Sequence, residues 1–332
     1  MSISRRAETG AASQLVATGL QKRYRTKQGL FRESHETVAL DEVSLSLSSG
    51  EILGIVGESG CGKSTLAKVL LGLTDADGGE LTIDGRRIFG PAAKKVPAFQ
   101  RGIQMVFQDP FSSLDPRMKI RAIVGEPLQI ARAAPRREIV EEVRLQLALV
   151  GLGDDAMDKY PHQLSGGQRQ RICIARAIIS QPKFLIADEA VSALDVSIQL
   201  QILNLLLELR QRLNIAILLI SHDIGVIEYL CDNVMVMYRG RVVEAGCSTT
   251  LVDRPRHPYT QLLLGARPSM KARGLGSSES NTVGAIESPY RTSCAFLARC
   301  PRRLARCREE VPHFVGDIRE GGVACFNPIP HA

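Results

Sequence analysis

Three short runs, Ile52–Val56, Phe184–Ala187 and Ile215–Ile220, contain only apolar residues and glycine, the pattern of strands buried on both faces of a parallel sheet. Met105-Val106-Phe107 is a shorter fourth. Between them the period changes. Ile198, Ile202, Leu205, Leu209 and Leu213 recur at three- and four-residue steps, predicting an amphipathic helix over 197–213 whose leucines are core rather than a zipper. Further helices are predicted over 64–72, 138–150, 168–179 and 261–266. Near the start, 15–24 and 43–47 read as strands joined by a polar, glycine-containing loop over 26–37. Asp109-Pro110 and Asp115-Pro116 interrupt the sheet pattern and helical periodicity follows, so about 110–165 is expected to be an inserted helical subdomain.

Polar residues cluster where the buried strands end. Gly57-Glu58-Ser59-Gly60-Cys61-Gly62-Lys63-Ser64 fits G-x-x-x-x-G-K-[ST] and falls between a strand and a helix. In such a turn glycine lets backbone N–H groups approach phosphate oxygens at the positive end of the helix. Gly57, Ser59, Gly60, Cys61, Gly62, Lys63, Ser64 and Thr65 are therefore the candidate cradle for ATP or GTP. Lys63 is expected to reach the β- and γ-phosphates and Ser64 to ligate magnesium. Asp188 and Glu189 follow a second buried strand, where ligands bind in open α/β sheets. Asp188 is placed to hold magnesium and Glu189 to polarise the attacking water. His222 leaves a third strand end, where an imidazole can donate to the γ-phosphate. Gln108, at the fourth, is a candidate for magnesium or the water, its alternative being an ordinary solvated glutamine.

In this order and spacing, the phosphate loop, Gln108, Leu164-Ser165-Gly166-Gly167-Gln168, Asp188-Glu189, Ser192-Ala193-Leu194-Asp195 and His222 resemble the nucleotide-binding subunits of ATP-binding cassette (ABC) transporters. The resemblance covers about residues 14–250. It implies an α/β P-loop NTPase of the ABC ATPase type with an antiparallel β-subdomain and an inserted helical subdomain. It also implies ATP as the nucleotide and head-to-tail pairing of two subunits. Ser165, Gly166, Gly167 and Gln168, opening a second helix, would then cap the γ-phosphate held by a partner's loop, and Asp195 would lie in a segment crossing the interface. Tyr24 occupies the family's place for an aromatic that stacks on adenine, half-buried packing being the alternative. One position departs from the pattern: Ala190 follows the glutamate where the family usually has proline. This removes no chemical group and is expected to alter rate rather than abolish activity.

Composition changes the picture in one respect. At 332 residues and 44% hydrophobic content, the chain suits one large α/β domain plus a smaller module. No run approaches the roughly eighteen apolar residues needed to cross a bilayer, and the start lacks a signal-peptide pattern. A transporter ATPase of this kind borrows its membrane path. The implied partners are two transmembrane permease subunits, a second identical or homologous ATPase, and an extracytoplasmic solute-binding protein, with this chain at the cytoplasmic face. The net charge of +7 is modest and suits a surface near anionic lipid; no nucleic-acid partner is expected.

The expected division is a flexible 1–13, an ATPase domain over 14–250 and an extension over 251–332, with 270–288 a linker. Arg256-His257-Pro258-Tyr259-Thr260 and the set Cys294, Cys300, Cys307 and Cys325 resemble the C-terminal extension of the oligopeptide and dipeptide importer branch, as does Gln108 to Pro116. A reducing compartment disfavours disulfides. The readings for the four thiols are an iron–sulfur cluster of the 4Fe–4S type, then zinc or no ligand. Arg299, Arg302, Arg303, Arg306 and Arg308 crowd the segment and are expected to lower the thiol pKa values. Cys61, Cys173, Cys231 and Cys247 read mostly as small buried packing, with Cys61, at a variable phosphate-loop position, open to oxidation without being catalytic. A soluble ABC ATPase of translation or DNA repair is the rival class, but such relatives generally carry two cassettes or a long coiled coil.

Overall fold

The computed structural model describes residues 13–26, 35–90, 96, 101–191, 194–265 and 292–330. The expectations placed on the first twelve residues, most of the 26–37 loop, Ser192, Ala193 and the 270–288 linker lie outside them.

Two sheets organise the chain. β1 (Gln14–Thr26), β2 (His35–Ser48), β4 (Gly78–Ile83) and β5 (Arg86–Phe89) form an antiparallel sheet in the order β2-β1-β4-β5. The larger sheet holds β3 (Ile52–Val56), β6 (Ile103–Val106), β7 (Phe184–Asp188), β8 (Ala216–Ile220), β9 (Asn233–Tyr238), β10 (Arg241–Cys247), β11 (Val315–Asp317) and β12 (Gly321–Val323), in the order β11-β12-β10-β9-β3-β8-β7-β6. From β9 to β6 the neighbours are parallel. The pairings Ile55 with Ile220, Asp188 with Ile220 and Val106 with Ala187 bring their carboxyl ends to one edge. Gly57, Gln108, Glu189 and His222 all leave from there.

The apolar runs of the sequence are explained by cover on both faces. Ile52, Val56, Leu185, Ala187, Ile217 and Leu219 face one hydrophobic cluster, while Leu53, Ile55, Phe184, Ile186, Leu218 and Ile220 face the other. Full burial contributes about 1.5–3 kcal/mol for each large aliphatic side chain, so this slab is a firm base for a site at its edge.

Helices lie on and beside the slab. α1 (Lys63–Leu71) stops at Gly72, whose left-handed backbone lets its N–H return to Lys68 and Val69 carbonyls. α2 (Pro110–Ser113) starts on Asp109, which accepts from the Phe111 and Ser112 N–H groups. α3 (Ile120–Ile130), α4 (Arg136–Leu149) and α5 (Gly166–Ile178) pack together through Ile123, Val124, Ile139, Val143, Leu147 and Ile172. α6 (Val196–Leu213) and α7 (Ile224–Leu230) follow, then α8 (Ser248–Asp253) and α9 (Pro258–Gly265). The C-terminal segment, with α10 (Arg306–Glu309), continues the large sheet: Glu244 pairs with Val323 and Ala245 with Gly322. The extension is thus built onto the ATPase sheet.

Candidate active site

The phosphate loop needs glycine at two positions. A Cβ on Gly57, whose φ is 156°, would lie 2.2 Å from the Met237 carbonyl, and one on Gly62, at φ 113°, 2.3 Å from that of Ala39. Gly62 is also the N-cap of α1 and supplies no side-chain cap, so the first amides of that helix keep their donors for a ligand. Ser59, Gly60 and Ser64 are exposed and Thr65 half-buried. Lys63 is buried; its Nζ donates to the carbonyls of Gly57 at 2.6 Å and Glu58 at 3.0 Å and lies 3.7 Å from Cys61 Sγ. Beneath the loop Cys61 is only 4% exposed, and burial pushes its thiol up, which removes the basis for the oxidation sensitivity expected of it.

Asp188 ends β7 and is buried, and burial holds its carboxyl above the ordinary aspartate value. The Ser64 hydroxyl bonds that carboxylate and the Lys63 charge lies near it, and both oppose the burial by favouring the ionised form. Glu189 follows at φ 46°, its N–H donating to the Ile220 carbonyl at 2.9 Å. Its carboxylate accepts from Gln108 Nε2 at 2.7 Å, and His222 Nδ1 stands 3.4 Å from its other oxygen. Gln108, Glu189 and His222 come from three strand ends and meet at one carboxylate. His222 is presented on a turn in which the Ser221 hydroxyl accepts from Asp223 N–H, while Asp223 caps α7. Ala190, behind the glutamate, is buried.

The Ser165 turn is arranged differently. Ser165 Oγ accepts from Gln168 N–H at 3.3 Å, and the Gln168 side chain accepts from Ser165 N–H at 3.0 Å, a reciprocal capping box. Both residues, read from the sequence as nucleotide contacts, cap their own helix in the single chain. Gly167 packs so closely on α6 that a Cβ would lie 2.7 Å from Ile198. Asp195 is exposed at the start of that helix. Tyr24 pairs with Thr37, two residues along β2 from the Ala39 whose carbonyl closes on Gly62; the residue is 39% exposed, with Lys22 Nζ 5.5 Å from the ring centroid.

The cysteines of the tail converge. Cys294 and Cys307 are buried, Cys300 and Cys325 half-buried, and Cys294 N–H donates to the Cys307 carbonyl at 2.9 Å. Burial, reinforced by Cys307, Cys300 and Cys325, pushes the Cys294 thiol up to about 11. Burial likewise raises Cys300 and Cys325. The expected lowering by arginine is therefore corrected. Arg299 is paired with Glu58 and Arg306 with Glu310, whereas Arg302 and Arg303 still act to lower Cys300, and Arg302 to lower Cys325, but burial outweighs them. Among the described residues, no three His, Cys, Asp or Glu side chains stand close enough to hold a metal ion as they are. Cys61, Cys173 and Cys231 are buried, but Cys247 is exposed, contrary to a packing role.

Sequence reasoning missed two contacts. Tyr259 Oη accepts from Glu58 N–H at 2.8 Å, and Arg299 grips the Glu58 carboxylate with both arms. The His-Pro-Tyr segment was a visible signal, but nothing in its period points to a partner 201 residues away.

A phosphate loop at the edge of a parallel sheet, with a strand-end glutamate beside it and a capped glycine turn apart from it, defines an ATP-binding cassette ATPase. Residues 40–192 match the family described as ABC transporter, and residues 243–307 the one described as Oligopeptide/dipeptide transporter, C-terminal region. The chain belongs to the ABC transporter family, among the ATP-binding subunits of its oligopeptide/dipeptide branch. It is similar to the Dipeptide transport ATP-binding protein DppF of Haemophilus influenzae, 42% identical over 315 residues, which are 94% of this chain and 96% of that one. The DppF of Escherichia coli K12 is 43% identical over 316 residues, 94% and 93% of the two chains. Among solved structures, cbiO1 of Clostridium perfringens, part of the ABC transporter complex cbiONQ, superposes with a TM-score of 0.61 at 29% identity, covering 72% of this chain and 90% of that one. A dimeric post-hydrolysis state of the ATP-binding cassette MJ0796, bound to ADP and Pi, gives 0.59 at 28% identity, covering 69% and 96%.

Proposed function

We propose that this ATPase energises an importer for peptides or related small solutes, as the names of its relatives suggest. It would work at the cytoplasmic face of the membrane with two permease subunits, a second ATPase and an extracytoplasmic solute-binding protein. The observation that carries the catalytic part is Glu189 held between Gln108 and His222 beside the phosphate loop. In this reading Glu189 polarises the attacking water, His222 donates to the γ-phosphate, and Lys63 leaves its loop carbonyls for the phosphates. Ser64, Asp188 and Gln108 offer the oxygen donors that magnesium requires, and its charge would neutralise the phosphates. Tyr24 stacks on adenine. Ser165, Gly166, Gly167 and Gln168 complete the γ-phosphate site of a second ATPase, with Asp195 at the shared interface.

Glu189→Gln tests this directly. The variant is expected to bind ATP with unchanged affinity yet accumulate an ATP-bound dimer, with turnover down about a hundredfold or more for loss of a general base. Turnover at the wild-type rate would remove Glu189 from the mechanism.

Docking to the membrane subunits has a surface to use. A groove of about 650 Å³ beside the helical subdomain is lined by Leu73, Met105, Phe107, Ile130 and Arg176 among others, and Phe107 and Ile130 are exposed. Gln108 follows Phe107 directly, so an apolar helix seated there would be felt at Glu189. An unpartnered apolar groove on a polar protein is the ordinary mark of such an interface.

The four tail cysteines are proposed to hold a 4Fe–4S cluster, with zinc the second choice. Their proximity fits a cysteine donor set, and because burial raises Cys294, Cys300 and Cys325, ligation must release protons. Sidechain adjustment must bring the sulfurs together, since they are not yet in ligating positions. Protein purified without oxygen is expected to carry iron and absorb broadly near ~400 nm. Zinc in its place, or no metal, contradicts the cluster.

A further inference from the structure

Glu58 is the first residue inside the phosphate loop after Gly57, and all of its polar groups are engaged. Its carbonyl accepts from Lys63 Nζ at 3.0 Å and from Cys61 N–H at 3.2 Å, both within the loop. Its N–H and carboxylate face the C-terminal extension instead. The N–H donates to Tyr259 Oη at 2.8 Å, and the carboxylate accepts both guanidinium arms of Arg299 at 2.9 Å each.

The anchors are themselves fixed. Tyr259 is 0% exposed, its ring 4.6 Å from Tyr238 and 5.5 Å from Phe296. Phe296 meets Tyr238 edge-on at 5.3 Å, and Arg299 lies over the Phe296 ring at 5.7 Å. Tyr238 ends β9, the strand beside the one that feeds the loop, whereas Phe296 sits between Cys294 and Cys300. The local sequence explains Tyr259. Glu244 accepts the N–H groups of Arg256 and His257, Pro258 opens α9, and His257 Nδ1 accepts Tyr259 N–H at 3.0 Å.

The peptide unit joining Gly57 to Glu58 is held at both ends. Its N–H points to Tyr259 and its carbonyl to Lys63 Nζ at 2.6 Å. Because a peptide is planar, fixing the N–H also fixes the carbonyl that receives the lysine. We propose that Tyr259 and Arg299 are positioning residues for nucleotide binding: the extension holds the Glu58 turn so that the loop keeps its phosphate-ready shape. Neither touches the reacting atoms. Without them the peptide can rotate, and apparent affinity falls with the fraction of loops left competent. The bidentate fork of Arg299 gives direction as well as charge, which lysine cannot reproduce in full.

The inference rests on ATP binding at this loop. The test is an equilibrium titration of the full-length chain with ATP and magnesium, alongside steady-state ATPase measurements on wild type, Tyr259→Phe, Arg299→Ala and Arg299→Lys. Tyr259→Phe keeps the buried ring and removes only the hydroxyl. That variant and Arg299→Ala are each expected to weaken ATP binding about three- to tenfold, the range for one lost hydrogen-bonded anchor. The KM for ATP should rise by a similar factor while kcat stays within about twofold, and Arg299→Lys should recover part of the loss. A purely structural role would lower the thermal midpoint and leave affinity untouched; that result overturns the proposal, as does a fall in kcat with KM unchanged. If wild type fails to bind ATP, the nucleotide reading fails and takes this inference with it. If wild type binds and both variants bind as well, only the positioning role is lost.

Discussion

The two helix starts that the proposed mechanism sets against phosphate are finished in opposite ways. At α1 the cap is a glycine with no side chain to offer, so the terminal amides remain available, and the loop before it is braced by Lys63, Tyr259 and Arg299. At α5 the cap is Ser165, and its hydroxyl and the Gln168 side chain close on each other's amides. In the proposed mechanism the first terminus is a standing phosphate cradle. The second is stable alone and, in that mechanism, would exchange a contact within its own turn for one with a nucleotide. Such an arrangement suits a site completed only when a second subunit arrives.

The brace predicts an acid sensitivity through the histidine that holds Tyr259. Burial lowers His257 from its ordinary 6.5 to about 4, and Nδ1 must stay unprotonated to accept Tyr259 N–H. Unfolded, the imidazole takes its proton near 6.5; folded, only near 4. Between those values the unfolded chain binds more protons, so stability falls as pH falls, by about 3 kcal/mol across the window, and is flat above it. Glu244, whose carboxyl burial raises, contributes with the opposite sign. Comparing urea midpoints of wild type and His257→Asn between pH 7 and 4 isolates the imidazole, and the variant should show a shallower decline. Equal slopes would mean that His257 does not gate the brace.

A smaller effect is expected at the other terminus. Ser165→Ala removes one half of the capping box and should cost about 1 kcal/mol of stability by thermal or urea unfolding. The loss is local, since the α5 face on the core, with Ile172 and Ile174, is unchanged.

Much of this was legible in the sequence because it is local. The β3 boundaries follow from an apolar run with both faces covered, and the three strand-end groups Gln108, Glu189 and His222 follow from where such runs stop. Helix α9 begins three residues earlier than periodicity alone predicts, because Pro258 and the His257 acceptor start it before any apolar stripe appears. The arginine effect on the cysteines is smaller than their spacing in sequence suggests, for a related reason. Proximity in sequence says nothing about which carboxylate, carbonyl or ring an arginine will choose, and burial outweighed the charge that remained. The Glu58 anchors were invisible because they join segments 201 and 241 residues apart through a hydroxyl and a guanidinium that carry no pattern of their own.

The claim that Lys63 and Ser165 serve different nucleotides is tested most directly by ATP titration of the full-length chain, diluted until it is monomeric, comparing Lys63→Ala with Ser165→Ala. Lys63→Ala is expected to weaken binding about tenfold or more, as loss of a charged phosphate contact should, while Ser165→Ala leaves the monomer within about twofold of wild type and impairs only the ATP-dependent dimer. Equal loss of monomer affinity in the two variants would place both residues on one nucleotide and contradict the account.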